Sequence, residues 1–209
     1  MKKYLSVNKQ AYNTLAKQYA ARLPEYEQRD TELIGPFIEY LNGKFKEVKI
    51  LELGPGSGLA LRFFEKAGFG TTAIEIAEEI INNAQVISPK TTFINDDFLT
   101  HNFMDQKYQG IFAKAFIHLF PKVDAQAVIV KIHDLLSPNG AFFITTTLHS
   151  KPMEGYKGKA DYSDSPPRFR KRWTEMELME SLGNKWKIMD KNYNQERGKN
   201  WIALTLVKK

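Results

Sequence analysis

Glu52, Gly54, Gly56 and Gly58 are the residues of this chain whose types and spacing speak first of chemistry. They fall in Leu51-Glu52-Leu53-Gly54-Pro55-Gly56-Ser57-Gly58, which follows an apolar run from Val48 to Leu53 and precedes a helical pattern from Leu59 to Lys66. Glycines between a strand and a helix let a ligand approach the backbone closely and let the helix pack near the strand. A tight turn without a ligand is the plainer reading, and three glycines at alternate positions weigh against it. A dinucleotide fingerprint spaced G-x-G-x-x-G requires a third glycine where this chain has Leu59. A carboxylate immediately ahead of the turn repels a pyrophosphate and favours a ligand carrying positive charge.

Further polar residues recur at the ends of apolar runs. Glu75, in Ala73-Ile74-Glu75-Ile76, follows the turn at a distance suited to a ribose, whose two vicinal hydroxyls match the two acceptor oxygens of a carboxylate. Asp96 and Asp97 come after the next run, and His118 after the one beyond. With an ordinary pKa of about 6.5, a histidine suits proton removal at neutral pH, so His118 is a candidate general base, although packing in a helical turn is the commoner role. The sequence contains no cysteine. That excludes disulfides, thiolate metal sites and any cysteine nucleophile, including the one that C5 methylation of nucleic-acid pyrimidines ordinarily uses.

From Tyr12 to Val207 this pattern resembles the class I S-adenosylmethionine-dependent methyltransferases. S-adenosylmethionine carries a sulfonium and an ammonium and no phosphate, which fits the acid before the turn. The resemblance implies that Glu52, Gly54, Gly56 and Gly58 hold the methionine part of the cofactor and that Glu75 binds the ribose. It implies an aspartate for the adenine amino group, for which Asp97 is the better match and Asp96 lies one register away. Phe98 then contacts the ring through its backbone, or is ordinary core. The segment from Ala113 to Pro121, with Ala115 and His118, is similar to the family stretch that lines the methionine part and the mouth of the acceptor pocket. Lys114 is unusual there, since a charge at a strand end ordinarily points to solvent. Methyl transfer needs alignment and exclusion of water more than acid–base chemistry, so the lack of an evident catalytic pair does not count against an enzyme.

The elements that must position these residues alternate. Helices are expected over Val7 to Leu23, stopped by Pro24, and from Thr31 to Leu41. Strands at Val48 to Leu53, Thr71 to Ile76, Thr91 to Asn95, Gly110 to Ala115 and Ala141 to Thr147 are separated by helices, with a short helix expected in the loop after the third strand. Ser137-Pro138-Asn139-Gly140 is a strong turn signal. Strands Trp186 to Tyr193 and Trp201 to Val207, joined by Asn194 to Asn200, form an antiparallel pair. The expected fold is α/β: a Rossmann-like, doubly wound mixed sheet of five parallel strands plus a C-terminal antiparallel hairpin, with helices on both faces. One methyltransferase domain over 1–209 is expected, with an N-terminal helical cap (1–45), a cofactor-binding core (46–147), a lid or substrate loop (148–173) and a C-terminal helix and hairpin (174–209).

The net charge of +6 raises nucleic acid as a partner, but the basic residues are mostly dispersed. The densest group, Arg168, Arg170, Lys171 and Arg172, reads as a solvated loop and helix start. The Asn/Asp-Pro-Pro-aromatic tetrad of amino-methylating nucleic-acid enzymes is missing after the fourth strand. A small-molecule acceptor is therefore expected, enclosed by Tyr12 and Tyr19 from the first helix and by the later loop with Tyr156, Tyr162, Arg168, Phe169 and Trp173. That loop is expected to be mobile without ligand and to close as a lid, its basic run meeting an acidic acceptor such as a carboxylate. RNA or protein methylation, S-adenosylmethionine binding without catalysis, and NAD-dependent oxidoreduction remain alternatives. No apolar run is long enough to span a bilayer, and Met1-Lys2-Lys3-Tyr4 runs into polar residues where a signal peptide has an apolar core, so a cytoplasmic protein is expected, with no metal site.

Overall fold

The computed structural model describes residues 1–21, 23–158 and 165–209. Two helices, α1 (Lys3–Ala21) and α2 (Leu23–Lys44), precede the alternating part. There follow β1 (Lys49–Leu53), α3 (Leu59–Lys66), β2 (Gly70–Glu75), α4 (Glu78–Ile87), β3 (Thr92–Asn95) and β4 (Tyr108–Lys114). After a single 3-10 turn at Ile117–Leu119 come α5 (Lys122–Leu135), β5 (Leu136–Leu148), β6 (Met153–Lys157) and β7 (Arg168–Arg172). The chain ends with α6 (Glu175–Leu182), β8 (Trp186–Glu196) and β9 (Lys199–Lys208).

Seven strands form one sheet in the order β3-β2-β1-β4-β5-β9-β8. The first five pair in parallel and β9 runs antiparallel between β5 and β8, which is the expected mixed sheet. Strand alternation sends Ile50, Phe112 and Phe143 to the face covered by α2 and α3, where they join Phe37, Leu41 and Phe64. Leu51, Leu53, Ile111, Phe142 and Ile144 belong to a second core cluster with Val128, Ile129 and Ile132 of α5 and Leu178 of α6. The Phe112 and Phe143 rings stack with centroids 4.5 Å apart. The same period places Glu52 two residues from Ile50, and Lys114 two from Phe112, all on the α2 face. Glu52 and Phe112 are register partners, so the acid and the lysine are brought near each other by the pleat itself.

Several expected boundaries are corrected. Helix α1 begins at Lys3, and α2 begins at Leu23, so Pro24 sits in the first turn of a helix instead of ending one. A first-turn proline gives up no intrahelical hydrogen bond, because that N–H lacks a partner within the helix anyway. No helix forms among residues 96–107; the short helical turn follows β4 instead. The Ser137 to Gly140 turn signal appears as an irregularity inside β5: Tyr108 pairs with Leu136 and Gly110 with Ala141, with Asn139 at φ 60°. Strands β8 and β9 meet at a two-residue turn, Arg197-Gly198, with φ of 50° and 68°. Both residues in the left-handed region match the twist of a hairpin, and the strands run longer than alternation alone indicates.

The segment expected as a loop contains a hairpin. β6 and β7 pair antiparallel from Met153↔Arg172 to Lys157↔Arg168, as a two-stranded sheet of their own. Tyr162 lies outside the described residues. The basic group is not a solvated run: Arg168 and Lys171 are buried. Arg168 donates from Nη1 to the hydroxyls of Tyr12 and Tyr19, each at 3.0 Å, and Lys171 donates to Glu177 at 2.6 Å. The Phe169 N–H donates to Asn8 Oδ1 at 2.7 Å, so β7 is fastened to α1 by side chains that lie far apart in sequence.

Candidate active site

A cavity of about 250 Å³ opens at the carboxyl ends of β1, β2 and β4, where doubly wound sheets bind ligands. Its wall includes Glu52, Gly54, Gly56, Glu75, Asp97, Phe98, Ala115, His118, Tyr12, Tyr19 and Arg168. Gly58 stands behind the wall, and Tyr156, Phe169 and Trp173, expected to enclose the acceptor, do not line it: Phe169 and Trp173 are packed in the core and Tyr156 is exposed. Gly58 has φ +80°, and a Cβ on it would lie 2.9 Å from Ala84 O and from Ser88 Oγ, so its absence lets α3 and α4 approach. Gly56, at φ +56°, has nothing within 4 Å of a Cβ: the space beside it belongs to the cavity.

Glu75 ends β2, and its Oε1 accepts from the Ala77 N–H at 2.8 Å. Burial holds its carboxyl up at about 7, against backbone hydrogen bonds from Ala77 and Ile76. Asp97 Oδ1 accepts from the Leu99 N–H at 3.0 Å, which fixes the carboxylate in the loop after β3. Asp96, also in the wall, pairs through Oδ2 with His101 Nδ1 at 2.8 Å. Ala115 takes φ 55°, and its N–H is shared between the carbonyl and hydroxyl oxygens of Thr145 at 3.1 and 3.0 Å.

Glu52 is 3% exposed, and its Oε2 has no hydrogen-bond partner among the described residues. Burial pushes its carboxyl well above the usual range; Lys114 opposes that shift and Asp30 reinforces it. Lys114, instead of facing solvent, pairs with the buried Asp30 of α2 and lines the cavity. A buried carboxyl with an orphan oxygen is a ready partner for an ammonium group.

His118 is buried. Its Nδ1 lies 3.1 Å from Thr146 Oγ1 and its Nε2 lies 2.9 Å from Arg170 Nη2. A guanidinium has no acceptor, so Nε2 accepts from Arg170, the ring is neutral, and Nδ1 carries the proton toward Thr146. The lone pair that a general base needs is the one Arg170 engages.

Sequence reasoning missed Asp30, noted Lys114 only as unusual and Arg170 only as part of a basic run, and missed the tip of the β8–β9 hairpin entirely. Glu196, Arg197, Lys199 and Trp201 all reach the cavity wall. The Arg-Gly dipeptide at 197–198 is the signal that was available, because a two-residue turn lengthens both strands past the end of β5.

Fold and site together define an α/β protein with a cavity at the strand ends. Residues 50–140 match the model of a family described as a methyltransferase domain. Among solved structures, the chain is similar to magnesium protoporphyrin IX methyltransferase from Synechocystis PCC 6803 with bound S-adenosylmethionine (14% identity, TM-score 0.73, 100% of this chain and 99% of that one). It is also similar to 1,6-didemethyltoxoflavin-N1-methyltransferase from Burkholderia thailandensis with bound 1,6-didemethyltoxoflavin and S-adenosylhomocysteine (18%, TM-score 0.71, 98% and 88%). A third is a glycopeptide N-methyltransferase complexed with S-adenosylmethionine (13%, TM-score 0.60, 82% and 92%). At these identities the likeness is one of fold. No curated protein matches the chain in sequence.

The carboxyl of Glu75 gives a pH prediction. Ribose hydroxyls donate, so binding favours the ionised form, and affinity for S-adenosylmethionine should rise with pH through about 7, with proton release on binding. Calorimetry in two buffers of different ionisation heat reads both. The apoprotein should respond oppositely. A folded carboxyl raised from 4.5 to about 7 holds a proton that the unfolded chain has lost, so its contribution to stability falls as pH rises across that window. Affinity independent of pH from about 5 to 8 contradicts Glu75 as the ribose partner.

Proposed function

We propose that this protein transfers the methyl group of S-adenosylmethionine to a small-molecule acceptor by in-line displacement, as one domain. Glu52 and the turn from Gly54 to Gly58 take the methionine part, Glu75 the ribose, and Asp97 and Phe98 the adenine, with Ala115 bordering the methionine end. The observation that carries this reading is the division of the cavity along the sheet. The ends of β1, β2 and β3 supply the acids and the glycine turn, while α1, β7 and the β8–β9 tip enclose the rest. Enclosure of the cavity by α1, β7 and the β8–β9 tip favours a modest acceptor over a folded macromolecule. No helix among the described residues is long and apolar enough to cross a membrane, and the cytoplasm is the expected compartment.

The deciding experiment incubates the protein with radiolabelled S-adenosylmethionine and, separately, a metabolite pool, tRNA and total protein. Label in the metabolite pool is expected. Label confined to RNA or protein overturns the small-molecule acceptor, and silence in every pool favours a binding protein.

With β7 fastened to α1 across the cavity, ligands enter when these two elements part, so that β6 and β7 act as a hinged wall. Hydrogen exchange in β6, β7 and α1 is expected to slow when S-adenosylhomocysteine binds. Equal protection with and without it contradicts the gating role.

A further inference from the structure

Beyond the cofactor half, the cavity wall offers hydrogen-bond donors. The Trp201 indole Nε1–H is buried without a hydrogen-bond partner among the described residues, although the residue lines the cavity. A buried indole N–H left unpaired is costly and can only donate. The Trp201 ring lies beside His118, with centroids 6.3 Å apart. On the same histidine, Arg170 is held through Nη2 at 2.9 Å, and Arg170 lines the same cavity. Since Nε2 must accept that bond, His118 presents no acceptor of its own to a ligand. Thr146 fixes the imidazole from behind at 3.1 Å, so the guanidinium is tethered to a ring that cannot turn without losing two hydrogen bonds.

The acids Glu75, Asp96 and Asp97 lie at the other end of the cavity, at the tips of β2 and β3. Arg168 donates to Tyr12 and Tyr19, so the loop arginine singled out from sequence fastens the wall, and Arg170, two residues on, lines the same cavity.

We infer that Arg170 and the Trp201 indole together bind an oxyanion on the methyl acceptor, and that His118 acts as the positioning residue for Arg170. The acceptor class is an anion with an apolar body, which Leu119, Phe120 and Ile202 in the same wall would accommodate. A planar guanidinium matches a carboxylate or a phosphate bidentately, and the indole adds a third donor. This assignment rests on the methyltransferase reading.

The test uses the protein saturated with S-adenosylhomocysteine and four probes that share one ring: benzoate, phenyl phosphate, benzamide and benzylamine. Calorimetry is expected to show one or both anions binding at least about tenfold more tightly than benzamide, and benzylamine not binding. Which anion leads distinguishes a carboxylate from a phosphate acceptor. Arg170→Met should remove the preference, Arg170→Lys should restore part of it by keeping the charge, and Trp201→Phe should weaken anion binding without affecting the ring.

His118→Ala should reproduce the loss seen in Arg170→Met, and the double variant should lose no more than either alone, which a merely structural role for His118 would not produce. Affinity for S-adenosylhomocysteine serves as the control for folding in every variant. Equal binding of benzoate, phenyl phosphate and benzamide, no binding of either anion at millimolar concentration, or an Arg170→Met protein with its preference intact overturns the assignment. If S-adenosylhomocysteine itself fails to bind the parent protein, the methyltransferase reading falls first.

Discussion

Gly56→Val is expected to cut affinity for S-adenosylmethionine by more than about 100-fold while the protein stays folded, and Gly58→Val is expected to do the reverse. The two glycines are two residues apart and both have positive φ, at 56° and 80°. They differ in what a side chain would meet. At position 56 a Cβ projects into empty cavity, so its cost to the folded chain is chiefly the left-handed backbone, about 1 to 2 kcal/mol. The branched side chain then stands where the cofactor must come close to the turn. At position 58 a Cβ falls 2.9 Å from the Ala84 carbonyl oxygen, a backbone atom of α4 that cannot rotate away. Overpacking there adds about 1 to 3 kcal/mol to the backbone strain and forces α3 from α4. Thermal melts and cofactor titrations on both variants separate the two effects. A Gly56→Val protein that binds normally would remove the turn from the cofactor site.

Glu75→Ala should weaken S-adenosylmethionine binding by about 1 to 3 kcal/mol, or roughly 5- to 150-fold, through two lost ribose hydrogen bonds. Its effect on the fold should be small or slightly favourable at neutral pH, because a carboxyl held up at about 7 by burial is being removed. The backbone N–H of Ala77 loses its acceptor in the variant, which limits the gain. Unchanged affinity would show that another residue holds the ribose.

What the sequence made legible and what it hid follow from the range of the interactions. The turn from Gly54 to Gly58 and the acid at Glu75 are local features at strand ends, and parallel topology alone carries strand ends to one edge of the sheet. Their convergence on one cavity could therefore be argued before any coordinates. The state of Arg168 could not. A basic run directly after Pro166-Pro167 reads as solvated, and the tyrosines that bury it come from α1, 149 and 156 residues away. Asp30 was hidden for a related reason. Its partner Lys114 is set by the pleat of β4, and the helix bearing Asp30 begins earlier than Pro24 suggested. The acceptor wall suffered most, because the reach of the β8–β9 tip depends on a turn of two residues in place of a loop of seven.

The central claim is that the acids and glycines at the strand ends select S-adenosylmethionine over a dinucleotide. Calorimetric titration of the purified protein with S-adenosylmethionine, S-adenosylhomocysteine and NAD tests it most directly. Saturable heat from the first two and none from NAD is the predicted result, since Glu52 at the turn disfavours a pyrophosphate and suits an ammonium. Heat from NAD with none from S-adenosylmethionine would contradict the account and identify the cavity as a dinucleotide site.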